Sequence, residues 1–226
     1  MTTWSPARAI KKLQRSTSAN TRMKPATIER FRRFLGRLLC IALVIVFASS
    51  TAIAATASAP SPHSVLWIGN SFNYYNGGLP KMVQALVAEL RLSLRIGMEA
   101  VGRAHLPAHA ANPDLPLGNA WDLVVVQGYS DEPIHPSKAE AFRNALDILN
   151  NRITLAGSET ALFMTWAYKN SPEMTQLLAG AYQAAGQDIG AQVIPVGLAF
   201  AAARQARPAL RLYVAEDDKH PSPAGT

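Results

Sequence analysis

The chain of 226 residues contains one cysteine, Cys40, and none from residue 58 onward. Disulfides and thiolate chemistry are therefore excluded from that larger part. Neither G-x-x-x-x-G-K-[ST] nor G-x-G-x-x-G occurs, so no phosphate-cradling loop supports nucleotide binding. Internal repeats are also missing. Charged residues make up only 16%, and the 49% apolar content is too high for a disordered chain. Acidic residues are nearly absent from one region: residues 1–59 hold Glu29 alone against ten Lys/Arg, whereas residues 60–226 hold fourteen Asp/Glu against twelve Lys/Arg. The net charge of +7 and the isoelectric point near 9.8 thus belong wholly to the N-terminal segment. The remainder lacks the basic surplus of a phosphate-binding surface, which argues against nucleic acid as a partner.

What the N-terminal segment does contain is an export pattern. Arg30, Arg32, Arg33 and Arg37 precede the apolar run Leu38 to Ala48, and the small residues SSTAIAATASAP follow. Positive, apolar and small-residue regions in that order read as a signal peptide. Ala52-Ile53-Ala54 and Ala55-Thr56-Ala57 both fit an A-x-A cleavage pattern. The mature domain then covers residues 60–226 and is periplasmic or secreted, large enough to bury its own core. Met23 is an alternative start to Met1, because the basic region is long. Membrane anchoring by residues 38–59 is the alternative localisation, since that stretch is long enough to span a bilayer, although its second half is only weakly apolar.

The mature part alternates strands and helices. Ser64 to Ile68, Leu92 to Met98, Leu123 to Val126, Ala161 to Thr165 and Gln192 to Val196 read as five strands. LVVV is apolar throughout, as a strand buried on both faces is. Leu79 to Leu90, Pro136 to Leu149, a segment opened by Ser171-Pro172-Glu173, and Leu198 to Gln205 read as helices, with a weaker helical signal between Ala104 and Ala111. This order predicts an α/β fold, a three-layer α/β/α sandwich on a five-stranded parallel sheet. Ligands of such sheets sit beyond the carboxyl ends of the strands. Gly69-Asn70-Ser71-Phe72, Gly102, Gln127-Gly128-Tyr129-Ser130 and Trp166 all fall there.

A serine nucleophile needs a base beside it and a carboxylate behind the base. Ser71 lies on the turn after the first strand. At the far end of the chain, Asp217-Asp218-Lys219-His220-Pro221 sets a carboxylate three residues before a histidine. In an irregular loop that spacing lets Asp217 reach Nδ1–H of His220 while Nε2 faces Ser71, and Pro221 keeps the chain from collapsing into helix.

Together, Ile68 to Phe72 (IGNSF), Gly102, Val124 to Ser130 (VVVQGYS) and Asp217 to Thr226 (DDKHPSPAGT) resemble the SGNH/GDSL-type serine hydrolase superfamily. The resemblance spans Val65 to Thr226. It implies the flavodoxin-like SGNH hydrolase fold, with Ser71 as nucleophile, Asp217 and His220 completing a triad, and an oxyanion hole built from the N–H groups of Ser71 and Gly102 plus one side-chain donor. No cofactor or metal is implied. The family normally adds a closing helix after the last block, so the resemblance also implies a truncated C-terminus.

The third block departs from the family's G-x-N-[DE], reading Gly128-Tyr129-Ser130-Asp131. The side-chain donor is then Ser130 or Gln127. Gln127 is the expected one, because its N–H₂ is a fixed donor whereas a serine hydroxyl rotates; the competing role for Gln127 is capping the neighbouring loop and holding the turn. His105 and His109, four apart, lack a third ligand at supporting spacing, which favours a surface or loop role over zinc. His135 reads as a capping or turn residue; Asp131 and Glu132 either line the site or, as is commoner, are solvated acids at a strand end. Trp166, Tyr168 and Tyr129 either contact substrate or cover the sheet's end. The expected function is ester hydrolysis by an exported enzyme, on acyl groups of glycans or on small esters. The alternative is a non-catalytic carbohydrate- or ligand-binding module on the same fold.

Overall fold

Val124, Val125 and Val126 are at most 1% exposed because their strand lies in the middle of a sheet covered on both sides. The structure, a computed structural model, describes residues 62–226, which fall in one compact unit, Ser61–Thr226. The expected signal peptide with its expected cleavage sites, and Cys40, lie outside the described residues. Among those described, no helix is long and apolar enough to cross a membrane.

The strands are β1 (Ser64–Gly69), β2 (Arg95–Ala100), β3 (Leu123–Val126), β4 (Glu159–Phe163) and β5 (Gln192–Ile194). They form one parallel sheet in the order β2-β1-β3-β4-β5. The helices are α1 (Ser71–Tyr74), α2 (Leu79–Glu89), α3 (Leu106–Ala111), α4 (Ala139–Leu155), α5 (Met174–Ile189) and α6 (Val196–Ala206). Side chains alternate across each strand. Leu66, Ile68, Val124, Val126 and Leu162 therefore face one layer, with Leu106 of α3, Phe142, Leu146 and Leu149 of α4, and Leu178 and Tyr182 of α5. Val65, Trp67, Val125, Ala161 and Phe163 face the other, with Phe72 of α1, Phe200 of α6, Trp166 and Leu212. The expected three-layer α/β/α sandwich on five parallel strands is the fold observed. Its switch point, where the strand order reverses, lies between β1 and β3.

Several element boundaries differ from the sequence reading. β2 runs from Arg95 to Ala100 rather than from Leu92 to Met98, because its register is set by pairing with β1, Ser64 against Arg95 through Gly69 against Ala100. β4 begins at Glu159 and ends at Phe163, two residues earlier at each end than expected. α4 starts at Ala139, after His135-Pro136, and continues to Leu155, since fully buried Ile153 extends its apolar face past Leu149. α5 opens at Met174 with no side-chain cap, so Ser171-Pro172-Glu173 is a turn before the helix. α6 starts at Val196, the residue expected to end the fifth strand, which closes instead at Ile194.

Candidate active site

The turn after β1 is held from three sides. Asn70 caps α1, its Oδ1 accepting from Phe72 N at 3.2 Å, while its Nδ2 donates to the Ala104 carbonyl. Gln127, at the mouth of β3 and 1% exposed, accepts from Asn70 N through Oε1 at 3.1 Å. Its Nε2 donates to Asn70 Oδ1 at 3.0 Å and to the Gly128 carbonyl. His109 of α3, 3% exposed, donates from Nε2 to the Gly69 carbonyl at 2.8 Å. Burial keeps its pKa below the usual histidine value, against the opposing pull of the Gly69 carbonyl and the charges of Glu99 and Glu132. A side chain at position 69 is excluded: a Cβ there would meet Gln127 Oε1 at 2.4 Å and Asn73 Nδ2 at 2.5 Å.

This bracing aims Ser71 at His220. Ser71 Oγ and His220 Nε2 are 2.7 Å apart across 149 positions of sequence, and His220 Nδ1 is hydrogen-bonded to Asp217 Oδ2. A Ser O–H···Nε2 bond with Nδ1–H turned to the carboxylate is the tautomer a general base requires. Asp217 Oδ1 also accepts from the backbone N–H groups of Lys219 and His220, each at 3.0 Å. Partial burial disfavours its charge, but the N–H and ring donors of His220 together with Lys219 N outweigh that and hold the carboxyl below the usual range. Asp218, in the left-handed region at φ 54°, turns away to Lys169 Nζ at 2.8 Å and Asn170 Nδ2 at 3.1 Å. Asp217, not its neighbour, faces the imidazole.

The loop itself is pinned. Val214 N donates to the His220 carbonyl and Ser222 N to the Leu212 carbonyl, around an antiparallel bridge between Tyr213 and Pro221. Trp166 Nε1 donates to the Lys219 carbonyl, and the indole stacks between Phe72 and Phe200. Trp166 thus covers the sheet's end and is 2% exposed, with no face left for a ligand. The His220 ring stacks on Tyr75 at 4.4 Å and meets Phe72 edge-on at 5.4 Å.

Asn70, Ser71, Phe72, Arg103, Tyr129, Ser130, Asp217, Lys219 and His220 surround a pocket of about 210 Å³. Ser130 lines it and Gln127 does not. The expectation that Gln127 supplies the side-chain oxyanion donor is corrected on this point: both faces of its amide are engaged with Asn70 and Gly128 behind the turn, so it holds the turn instead. Gly102 sits exposed beside Arg103 at the rim, where a Cβ would lie 2.9 Å from the Tyr74 hydroxyl. Neither Ser71 N–H nor Gly102 N–H has a backbone acceptor among the described residues. Arg103 holds a left-handed backbone, φ 63°, which in a non-glycine residue is uncommon enough to mark a constrained position.

Three further expectations change. His109 is not a surface residue but a buried brace. Glu132 is not solvated: at 1% exposure it accepts from Leu106 N at the start of α3, from Tyr129 N in the third block, and pairs with His105 at 3.2 Å. Asp131, 8% exposed, is buried beside it. His135 keeps its expected turn role, Nδ1 accepting from Ser137 N and bonded to Ser137 Oγ before α4. Tyr129 stacks on His105 while reaching the pocket. Among the described residues no three His, Cys, Asp or Glu side chains gather to hold a metal. The residues that sequence reasoning missed are Tyr75, His109, Glu132 and Arg103. The one available signal was position: each follows or faces the carboxyl end of a strand.

No family model and no curated protein matches the chain. Solved structures do. A protein of Slackia heliotrinireducens described as a candidate SGNH hydrolase is 28% identical, with a TM-score of 0.59 over 73% of this chain and 93% of that one. An alpha/beta hydrolase enzyme from the metagenome of Lake Arreo, Spain, is 18% identical, with a TM-score of 0.58 over 72% and 89%. A variant of an acetyl xylan esterase from Geobacillus stearothermophilus is 15% identical, with a TM-score of 0.54 over 72% and 88%. The last two are likenesses of fold alone.

Proposed function

We propose that this chain, which has the SGNH hydrolase fold and resembles the SGNH/GDSL-type superfamily in sequence and in three dimensions, hydrolyses carboxylic esters with Ser71 as nucleophile. The observation that carries the reading is the Ser71–His220–Asp217 chain of hydrogen bonds, with a 2.7 Å link between residues from opposite ends of the domain. Ser71 Oγ attacks the acyl carbon as its proton passes to His220 Nε2, and the carbonyl oxygen becomes an oxyanion. The Ser71 and Gly102 N–H groups and Ser130 Oγ–H stabilise that charge. Collapse breaks the bond to the alcohol, which leaves with the proton from His220. A water molecule, deprotonated by the same imidazole, then releases the acid and regenerates Ser71. Asp217, ionised throughout, fixes the tautomer and stabilises the imidazolium.

The pocket is smaller than the roughly 300–1,000 Å³ of drug-sized ligand sites, which favours a short acyl group. The basic, apolar and small-residue order of residues 30–59 supports export before the enzyme meets its substrate, and short acyl groups on envelope or environmental glycans fit both features. The test is a screen of acetylated sugars and short p-nitrophenyl esters with Ser71→Ala as control. Turnover of at least one ester by the parent protein, abolished in Ser71→Ala, is expected. Folded protein that hydrolyses none of them would favour a binding module on the same fold.

A further inference from the structure

The superfamily's third block ordinarily offers an Asn amide to the oxyanion, and this chain has Ser130 there. Resting on the reading of Ser71 as nucleophile, we propose that Ser130 and Tyr168 act as a two-hydroxyl relay in place of that amide, Tyr168 being the positioning residue that turns the Ser130 hydroxyl toward the oxyanion.

A serine hydroxyl alone is a poor substitute, because it rotates and can accept as readily as donate. Here the rotation is restrained. Ser130 Oγ lies 2.7 Å from Tyr168 Oη, and Thr165 Oγ1 donates to the Ser130 carbonyl at 2.8 Å, so backbone and side chain are both held. Ser130 is 5% exposed and lines the same pocket as Ser71 and His220. The direction of the Ser130–Tyr168 bond follows from the chemistry of the partners. A phenol is the stronger acid and better donor, an alkyl hydroxyl the better acceptor. Tyr168 Oη–H therefore donates to Ser130 Oγ, which leaves the serine proton free for the pocket. Burial, reinforced by the nearby Asp131 charge, pushes the Tyr168 hydroxyl well above its usual range, so the donor proton stays in place. The ring is fixed too, packed against the core and covered by Lys219 Nζ at 4.7 Å from its centroid. When negative charge develops on the substrate oxygen, the two hydroxyls polarise in series, each strengthening the next. No covalent bond changes in this step, and the protons stay on Ser130 and Tyr168.

The experiment is a double-mutant cycle on kcat and KM, each variant checked by thermal melting. Ser130→Ala should lower kcat by about 10²-fold with KM nearly unchanged, the pattern of a contact made mainly in the transition state. Tyr168→Phe should lower kcat about five- to tenfold, the weight of one neutral hydrogen bond, also with KM unchanged. The double variant should be no slower than Ser130→Ala, because Tyr168 acts through Ser130. Ser130→Asn provides a second arm: with a fixed amide installed, Tyr168→Phe should become silent. Equal losses from Tyr168→Phe in the Ser130, Ser130→Ala and Ser130→Asn backgrounds would overturn the relay. Near-normal kcat in Ser130→Ala, beside an inactive Ser71→Ala, would overturn the relay alone. An active Ser71→Ala would overturn the functional reading beneath it.

Discussion

Replacing Gln127 separates a brace from an oxyanion donor. Gln127→Leu keeps volume but removes three hydrogen bonds at a site 1% exposed. Asn70 N–H loses its acceptor outright, and the Gly128 carbonyl and Asn70 Oδ1 each lose a donor. An orphaned buried group costs about 1–3 kcal/mol and a net hydrogen bond about 0.5–1.5, so the sum is roughly 2–4 kcal/mol, the leucine surface recovering part of it. At about 2–4 °C per kcal/mol for a domain of this size, the melting temperature should fall by roughly 5–15 °C. The assay is thermal unfolding by circular dichroism, run beside steady-state kinetics on the best ester substrate. Activity should fall because the turn carrying Ser71 loosens. Gln127→Glu adds a sign test: its carboxyl would be buried, so its pKa would be raised above the unfolded value, and the penalty should grow as pH rises from about 4 to 7. An unshifted melting temperature with kcat lowered 10²–10³-fold in Gln127→Leu would refute the bracing argument and return the oxyanion role to Gln127.

Other outcomes follow from the same geometry. Asp217→Asn should lower kcat by up to about 10⁴-fold by stabilising the wrong imidazole tautomer, whereas Asp218→Asn should change kcat little, since its partners are Lys169 and Asn170; reversed effects in steady-state kinetics would exchange the two assignments. Asp122 joins the starts of β1 and β3 by accepting from Ser64 Oγ, His63 N and Ser64 N, contacts led by the Ser64 hydroxyl that depress its pKa. A depressed carboxyl stabilises the fold above its unfolded value, near 3.8, and loses that contribution as pH falls through its folded value. Asp122→Asn should therefore melt lower than the parent at pH 7 and converge with it at the acid end of a pH series. For export, N-terminal sequencing of the secreted protein should begin between Ala55 and Pro60; an intact membrane-bound chain retaining Leu38 to Ala59 would contradict it.

The sheet was legible where burial on both faces left no polar position, as in Leu123 to Val126, and where a glycine ended the run, as at Gly69. It was least legible at β2. This edge strand is half exposed, so its alternation carries little information, and its position follows from pairing with β1. α4 extended past Leu149 because Asn150 receives the Thr160 hydroxyl and Arg152 reaches the carbonyls of Ala110 and Asn112, tertiary contacts that outweigh two asparagines and a β-branched pair. Ser71, Asp217 and His220, which the structure links by hydrogen bonds, could be picked out together because a serine on the turn after the first strand and a D-x-x-H-P run at the far end, each weak alone, form a recognisable pair. The amide of Gln127 suits an oxyanion donor and a turn brace alike in sequence, and only the fold reveals that Asn70 and the Gly128 carbonyl take its donors. Glu132 and His109 carry no local mark at all. Their burial depends on α3 meeting the ends of β1 and β3, His109 reaching the Gly69 carbonyl and Glu132 accepting from Leu106 N, and a charged residue at a strand end is ordinarily solvated.

The central claim is that Ser71 is a nucleophile activated by His220. It is tested most directly by incubating the folded protein with a fluorophosphonate probe and locating the adduct by mass spectrometry. The account predicts one probe per chain on Ser71, none on Ser71→Ala, and labelling strongly slowed in His220→Ala. Folded parent protein that takes up no probe, or takes it up on another residue while Ser71 stays unmodified, would contradict it.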